Sequence, residues 1–215
     1  MYYSGISIRP AALFPHQQRR KKTAETILFV GDSITEQFPV HQYFKEYKTI
    51  NKGVYDERSA RTLERTRSFS KTYEPDYAVL LIGTNDLYSQ YAFETILENI
   101  CGITEELSSI KSVRYVFVQS IYPINTELRG GLPMQNNESI SEFNLLLEET
   151  IKQYKKAVYV DMYSQLIDEN GMLNIEYTTD GLHISARGYE VITFHLTELI
   201  EEYDSKESDF YSSTQ

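Results

Sequence analysis

The sequence predicts an α/β protein, a three-layer α/β/α sandwich around a five-stranded parallel sheet. Three observations carry that expectation. Five short apolar runs rich in β-branched and aromatic residues recur along the chain, each closes in a polar turn, and the segments between them carry apolar residues at helical spacing. The first and third runs are apolar throughout rather than alternating, as befits strands covered on both faces, which is how parallel sheets are built. The 215 residues suffice for one core and one domain, with right-handed crossovers between strands.

Ile27 to Val30 is the first strand, and Gly31-Asp32-Ser33 the turn into a helix that Asp32 or Ser33 can cap. That helix is expected from Ile34 to about Tyr47, with Pro39 tolerated in its early turns or as a break. Lys48 to Lys52 is a second short strand ended by Gly53, and Ser59 to Ser68 has weak helical spacing. Tyr77 to Ile82, the most apolar run, is the third strand and ends in Gly83-Thr84-Asn85-Asp86. Phe93, Ile96, Leu97, Ile100, Ile103, Leu107 and Ile110 mark a long amphipathic helix. Val113 to Gln119 is the fourth strand, followed by a loop from Ile121 to Glu138. Ser139 or Ser141 can cap a helix whose apolar face is Ile140, Phe143, Leu147 and Ile151. Ala157 to Asp161 is the fifth strand. After the Thr179-Asp180-Gly181-Leu182-His183 segment comes a last helix with Tyr189, Ile192, Leu196, Leu199 and Tyr203 on one face. Residues 1–25 have no clear period and form an irregular lead-in to a domain at 26–203; residues 204–215 are a polar tail expected to fray.

Composition narrows the partners. A net charge of −10 repels nucleic acid and anionic membrane, and the body is more acidic still, because residues 1–25 carry five basic residues against one acid. The Arg19-Arg20-Lys21-Lys22 run reads as a solvated surface. No window is apolar over the 18 or so residues of a membrane span, and the N-terminal charges follow the mildly apolar Ala11 to Phe14, the reverse of a signal peptide. The single cysteine, Cys101, excludes an internal disulfide and, among Ile96, Leu97, Ile100 and Ile103, is expected in the core. The expected compartment is cytoplasmic. The sequence leaves the oligomeric state open.

Strand ends collect the chemistry. In a parallel sheet the loops at the carboxyl ends of the strands share one edge, which brings together Ser33, Gly53, Asn85 and the loop holding Asp180 and His183. Acyl transfer by serine needs a base for the hydroxyl proton, an acid to orient that base, and donors for the oxyanion. Ser33 is the candidate nucleophile, His183 the base and Asp180 the orienting carboxylate; the Ser33 N–H, Gly53 N–H and Asn85 amide are the candidate donors. Asp32 and Asp86 adjoin residues with better claims and read as caps, while His16, His41 and His195 read as structural or surface residues.

Gly31-Asp32-Ser33, Gly53 within Asn51-Lys52-Gly53-Val54, Gly83-Thr84-Asn85-Asp86 and Asp180-Gly181-Leu182-His183 follow one another in the order of the four marks of the SGNH (GDSL-type) hydrolases, which the chain resembles from about residue 26 to 203. It looks closest to the small bacterial branch likened to platelet-activating-factor acetylhydrolase, whose loop after the fourth strand Ser120 to Asn125 resembles. The resemblance implies a flavodoxin-like sheet and metal-free ester hydrolysis without a cofactor, on a small-molecule ester, with the five residues above in the family's roles. Two departures stand out: Val54-Tyr55-Asp56-Glu57-Arg58 is bulkier and more charged than the usual Gly- and Thr-rich segment, and Ile184 replaces a frequent Pro. The competing reading is a non-catalytic flavodoxin-like module binding a nucleotide or other small ligand. The first strand-to-helix turn lacks the Gly-rich phosphate fingerprint such a module would use, and turnover of an activated ester separates the two.

Overall fold

The computed structural model describes residues 24–130 and 136–213. The lead-in through residue 23, with its basic run, and part of the long loop fall outside them. Five strands, β1 (Thr26–Gly31), β2 (Lys48–Gly53), β3 (Tyr77–Leu81), β4 (Tyr115–Gln119) and β5 (Ala157–Val160), form one parallel sheet in the order β2-β1-β3-β4-β5. Alternate residues explain the unbroken apolar runs. Ile27, Phe29, Tyr77, Val79 and Phe117 face one core, and Leu28, Val30, Ala78, Leu80, Val116 and Val118 the other.

The first face is covered by α1 (Ser33–Glu36), α2 (Val40–Tyr43), α7 (Tyr163–Leu166) and α8 (Ala186–Ser213), through residues such as Phe38, Phe44, Leu166, Tyr189 and Leu196. The second is covered by α5 (Phe93–Ser109) and α6 (Asn137–Ile151), with α3 (Ser59–Thr66) outside α5 and the short α4 (Thr84–Tyr88) after β3. This is the expected three-layer sandwich.

Several boundaries differ for identifiable reasons. The expected first helix is two single turns, because Pro39 precedes Val40 and cannot supply the N–H that would continue α1. The fourth strand starts at Tyr115 rather than Val113. The cap of α6 is Asn136, whose side chain accepts the Ser139 N–H at 2.7 Å, so Ser139 receives the cap instead of supplying it. α8 runs on past Tyr203, and Asp204 accepts from the Tyr77 hydroxyl (3.2 Å) and from Arg114, which also holds Glu25 at 2.5 Å. Cys101 is only half-buried: one position past Ile100, it leaves the stripe of Ile96, Ile100, Ile103 and Leu107 that meets the sheet. No helix among the described residues is long and apolar enough to cross a membrane.

The strand order also locates a crevice. The chain leaves β1 to one side for β2 and then crosses to the other side for β3, so the loops after β1 and β3 diverge, and ligands bind in such gaps. Ser33 follows β1 and Asn85 follows β3.

Candidate active site

Ser33 is the first residue of α1, preceded by Asp32 in extended conformation, whose carboxylate accepts the Ile34 N–H at 3.0 Å. A helix leaves its first N–H groups without intrahelical acceptors, so the Ser33 N–H points out of the helix start. The single turn is clamped from below. Asn51 of β2 donates through its side chain to Thr35 O (2.7 Å) and Phe38 O (3.0 Å), while its Oδ1 accepts the Gly53 N–H at 2.8 Å. Gly53 has to be glycine for this approach, since a Cβ there would stand 2.0 Å from Glu36 N.

His183 is carried at the same carboxyl edge by the loop before α8. Asn125 N–H binds Gly181 O at 2.8 Å, Thr178 Oγ1 donates to His183 O at 2.8 Å, and the Tyr189 hydroxyl donates to Ile34 O at 2.8 Å, tying α8 to α1. These tethers set His183 Nε2 3.2 Å from Ser33 Oγ. Its Nδ1 lies 2.7 Å from Asp180 Oδ2, and Asp180 Oδ1 accepts the N–H groups of Leu182 (3.0 Å) and His183 (2.8 Å). Burial pushes the Asp180 carboxyl up, but the His183 ring and these two N–H groups outweigh it and hold it below the usual carboxylate range.

The candidate oxyanion donors divide. The Asn85 amide donates one hydrogen to Glu57 O at 2.9 Å, which fixes the side chain and leaves its second hydrogen without a partner among the described residues. The Gly53 N–H, expected as a donor, is turned to Asn51 Oδ1, so the geometry gives Gly53 a packing task and no free hydrogen. Sequence reading missed Asn51 and Glu57, because both act through bonds that exist only once β2 and the loop after it are in register. The charged segment after Gly53 is folded into the wall of the site. Val54 to Glu57 is a turn closed by Glu57 N–H to Val54 O (3.2 Å), with Asp56 at φ +55°, and the buried Glu57 carboxylate takes Thr62 Oγ1 (2.8 Å) and Arg65 (2.5 Å). The one sequence signal was the acidic Asp56, a residue type that tolerates left-handed backbone. Asp86 accepts the Ser59 N–H (2.9 Å) and hydroxyl (2.7 Å), tying α3 to α4. No group of three His, Cys, Asp or Glu side chains among the described residues is arranged to hold a metal ion.

A parallel α/β/α sandwich with serine, histidine and aspartate in series at the carboxyl edge is the arrangement of an ester hydrolase. The sequence model of the GDSL-like lipase/acylhydrolase family matches residues 29–191, and the chain belongs to that family of ester hydrolases. A multidomain esterase of Ruminococcus flavefaciens is 31% identical over 151 residues, 68% of this chain; the match spans only 18% of that protein's length. Subunit alpha2 of human platelet-activating factor acetylhydrolase IB is 22% identical over 81% of this chain and 75% of its own. Among solved structures, a Streptococcus pneumoniae protein assigned as a platelet-activating factor has a TM-score of 0.76 at 29% identity, covering 84% of this chain and 86% of that one. A GDSL-like lipase of Bacteroides thetaiotaomicron has a TM-score of 0.71 at 26% identity, covering 83% and 88%.

Proposed function

We propose that this chain is a serine esterase that hydrolyses short-chain, acetyl-type acyl esters of small molecules. The observation that carries the reading is the series Ser33 Oγ, His183 Nε2 (3.2 Å), His183 Nδ1, Asp180 Oδ2 (2.7 Å). Asp180 accepts the Nδ1 hydrogen, so the neutral ring presents its Nε2 lone pair to the serine hydroxyl. Ser33 Oγ attacks the acyl carbon as His183 takes its proton. The carbonyl oxygen gains the negative charge, and the Ser33 N–H and the second Asn85 hydrogen receive it at the positive end of α1. The imidazolium then protonates the departing alkoxide, leaving an acyl-serine and free alcohol. Water, deprotonated by the same imidazole, attacks the acyl carbon and returns Ser33 with release of the acid. No step draws on a metal or cofactor. Asp32 caps α1 and Gly53 packs it. The test is turnover of p-nitrophenyl acetate by the purified chain and by Ser33→Ala; unchanged hydrolysis by a natively folded variant would rule the reading out.

A further inference from the structure

The contacts that fix Asn85 reach well behind the cleft. Its amide is anchored on Glu57 O at 2.9 Å, and Glu57 is in turn anchored to α3. The Glu57 carboxylate, 4% exposed, accepts Nε (3.1 Å) and Nη2 (2.5 Å) of Arg65 and the Thr62 hydroxyl (2.8 Å). The buried Phe69 ring backs the guanidinium, its centre 5.4 Å from the Arg65 Cζ. From Arg65 the helix returns to the residue after Asn85. The Ser59 N–H and hydroxyl, at the start of α3, donate to the two Asp86 carboxylate oxygens at 2.9 and 2.7 Å, and Asn99 of α5 donates to Ser59 Oγ at 3.0 Å. Asn85, Glu57, Arg65, Ser59 and Asp86 thus close a ring, with α3 as its outer side.

We propose that Arg65 and Glu57 are positioning residues for the oxyanion hole: their buried ion pair holds the Glu57 carbonyl where it aims the Asn85 amide at the developing charge. The proposal rests on the reading of Asn85 as an oxyanion donor. Desolvating both charges offsets most of the attraction in a buried ion pair, so its contribution to stability is small; what the forked contact of Arg65 with Glu57 supplies is a single geometry. That geometry passes directly to Asn85, because the carboxylate and the carbonyl of Glu57 hang from one Cα. The turn before Glu57 is pinned at its other end by the Val54 N–H on Gly31 O (3.0 Å), which ties the carbonyl to the strand that carries Ser33. An oxyanion donor is effective when it is aimed before the charge appears. Loosening Asn85 therefore weakens its hold on the transition state and leaves substrate binding alone, and the deficit falls on kcat.

The test is a double-mutant cycle on the turnover of p-nitrophenyl acetate, with Arg65→Met introduced into the natural chain and into Asn85→Ala. In the natural chain Arg65→Met should lower kcat about 10- to 100-fold with KM changed less than about twofold, the cost of a misplaced catalytic group. In Asn85→Ala, where no amide is left to aim, the same substitution should change kcat by less than about twofold. The Asn85 side-chain amide, assigned in ¹H–¹⁵N spectra by its absence from Asn85→Ala, should shift toward the position of a free amide in Arg65→Met. Equal losses of kcat in the two backgrounds, a loss carried by KM, or an Asn85 amide that Arg65→Met leaves in place would overturn the proposal. Should Arg65→Met not fold, Glu57→Gln combined with Arg65→Met, which buries no unpaired charge, takes its place in the cycle. The amide is read without turnover, so an absence of esterase activity and a failure of the pair to position Asn85 are separate results.

Discussion

In the proposed mechanism Asn85 is a transition-state donor: one amide hydrogen is anchored on Glu57 O and the other has no partner among the described residues. Asn85→Ala should therefore lower kcat about 10²- to 10³-fold with little change in KM, the size expected for one preorganised donor. A raised KM with kcat unchanged would make Asn85 a substrate-binding residue instead. In the same mechanism Asp180 acts through His183, whose Nδ1 lies 2.7 Å from its Oδ2. Its depressed carboxyl keeps its charge until the pH falls below the ordinary carboxylate range, so the stability it contributes is complete above the unfolded value of about 3.9 and is lost as pH falls through its lower folded value. Asp180→Asn should reduce kcat roughly 10²- to 10⁴-fold through loss of the correct tautomer, measured with a native circular dichroism spectrum as control.

At the scale of elements, the placement of Ser33 depends on how α1 seats on β2. Gly53→Ala keeps every backbone donor yet pushes a methyl group into Glu36, so both the melting temperature and kcat should drop; a variant with normal stability and activity would show that α1 tolerates displacement. Asn136→Ala is the contrasting case, removing a cap on the far helix α6 at about 1 kcal/mol of stability with turnover of p-nitrophenyl acetate unaltered. The central strands were legible because burial on both faces demands apolar residues at every position, as in Leu28, Phe29 and Val30. Edge strand β2 was fainter, its side chains being only partly buried. The series Ser33, Asp180 and His183 was legible because parallel topology sends every such turn to one edge, and two of the three lie within a four-residue turn. Gly53 shows what sequence leaves open: a glycine after a strand signals close approach as readily as a free N–H, and the bond from its N–H to Asn51 is visible only in the structure. Of the tethers that bring His183 to Ser33, the Tyr189 hydroxyl on Ile34 O spans 155 residues of sequence and leaves no local pattern.

Across the whole molecule, α/β elements use most of the chain, and the connections around Ser33 are brief apart from the one between β4 and α6. Such a cleft desolvates a small acyl group but gains little from added methylenes, each of which would contribute about 0.8 kcal/mol if fully buried. For p-nitrophenyl esters, kcat/KM should peak between acetyl and butyryl and decline by octanoyl; a steady rise through dodecanoyl would reveal a deep acyl channel. The central claim is that Ser33 is the residue acylated during turnover. Its most direct measurement is covalent trapping: the protein is incubated with a fluorophosphonate, inactivation is followed on p-nitrophenyl acetate, and the modified peptide is read by mass spectrometry. One phosphonyl group per chain on Ser33, appearing in step with loss of activity and suppressed in His183→Ala, is the expected result. Full inactivation with the label on another residue, or hydrolysis that persists with Ser33 completely modified, would contradict it.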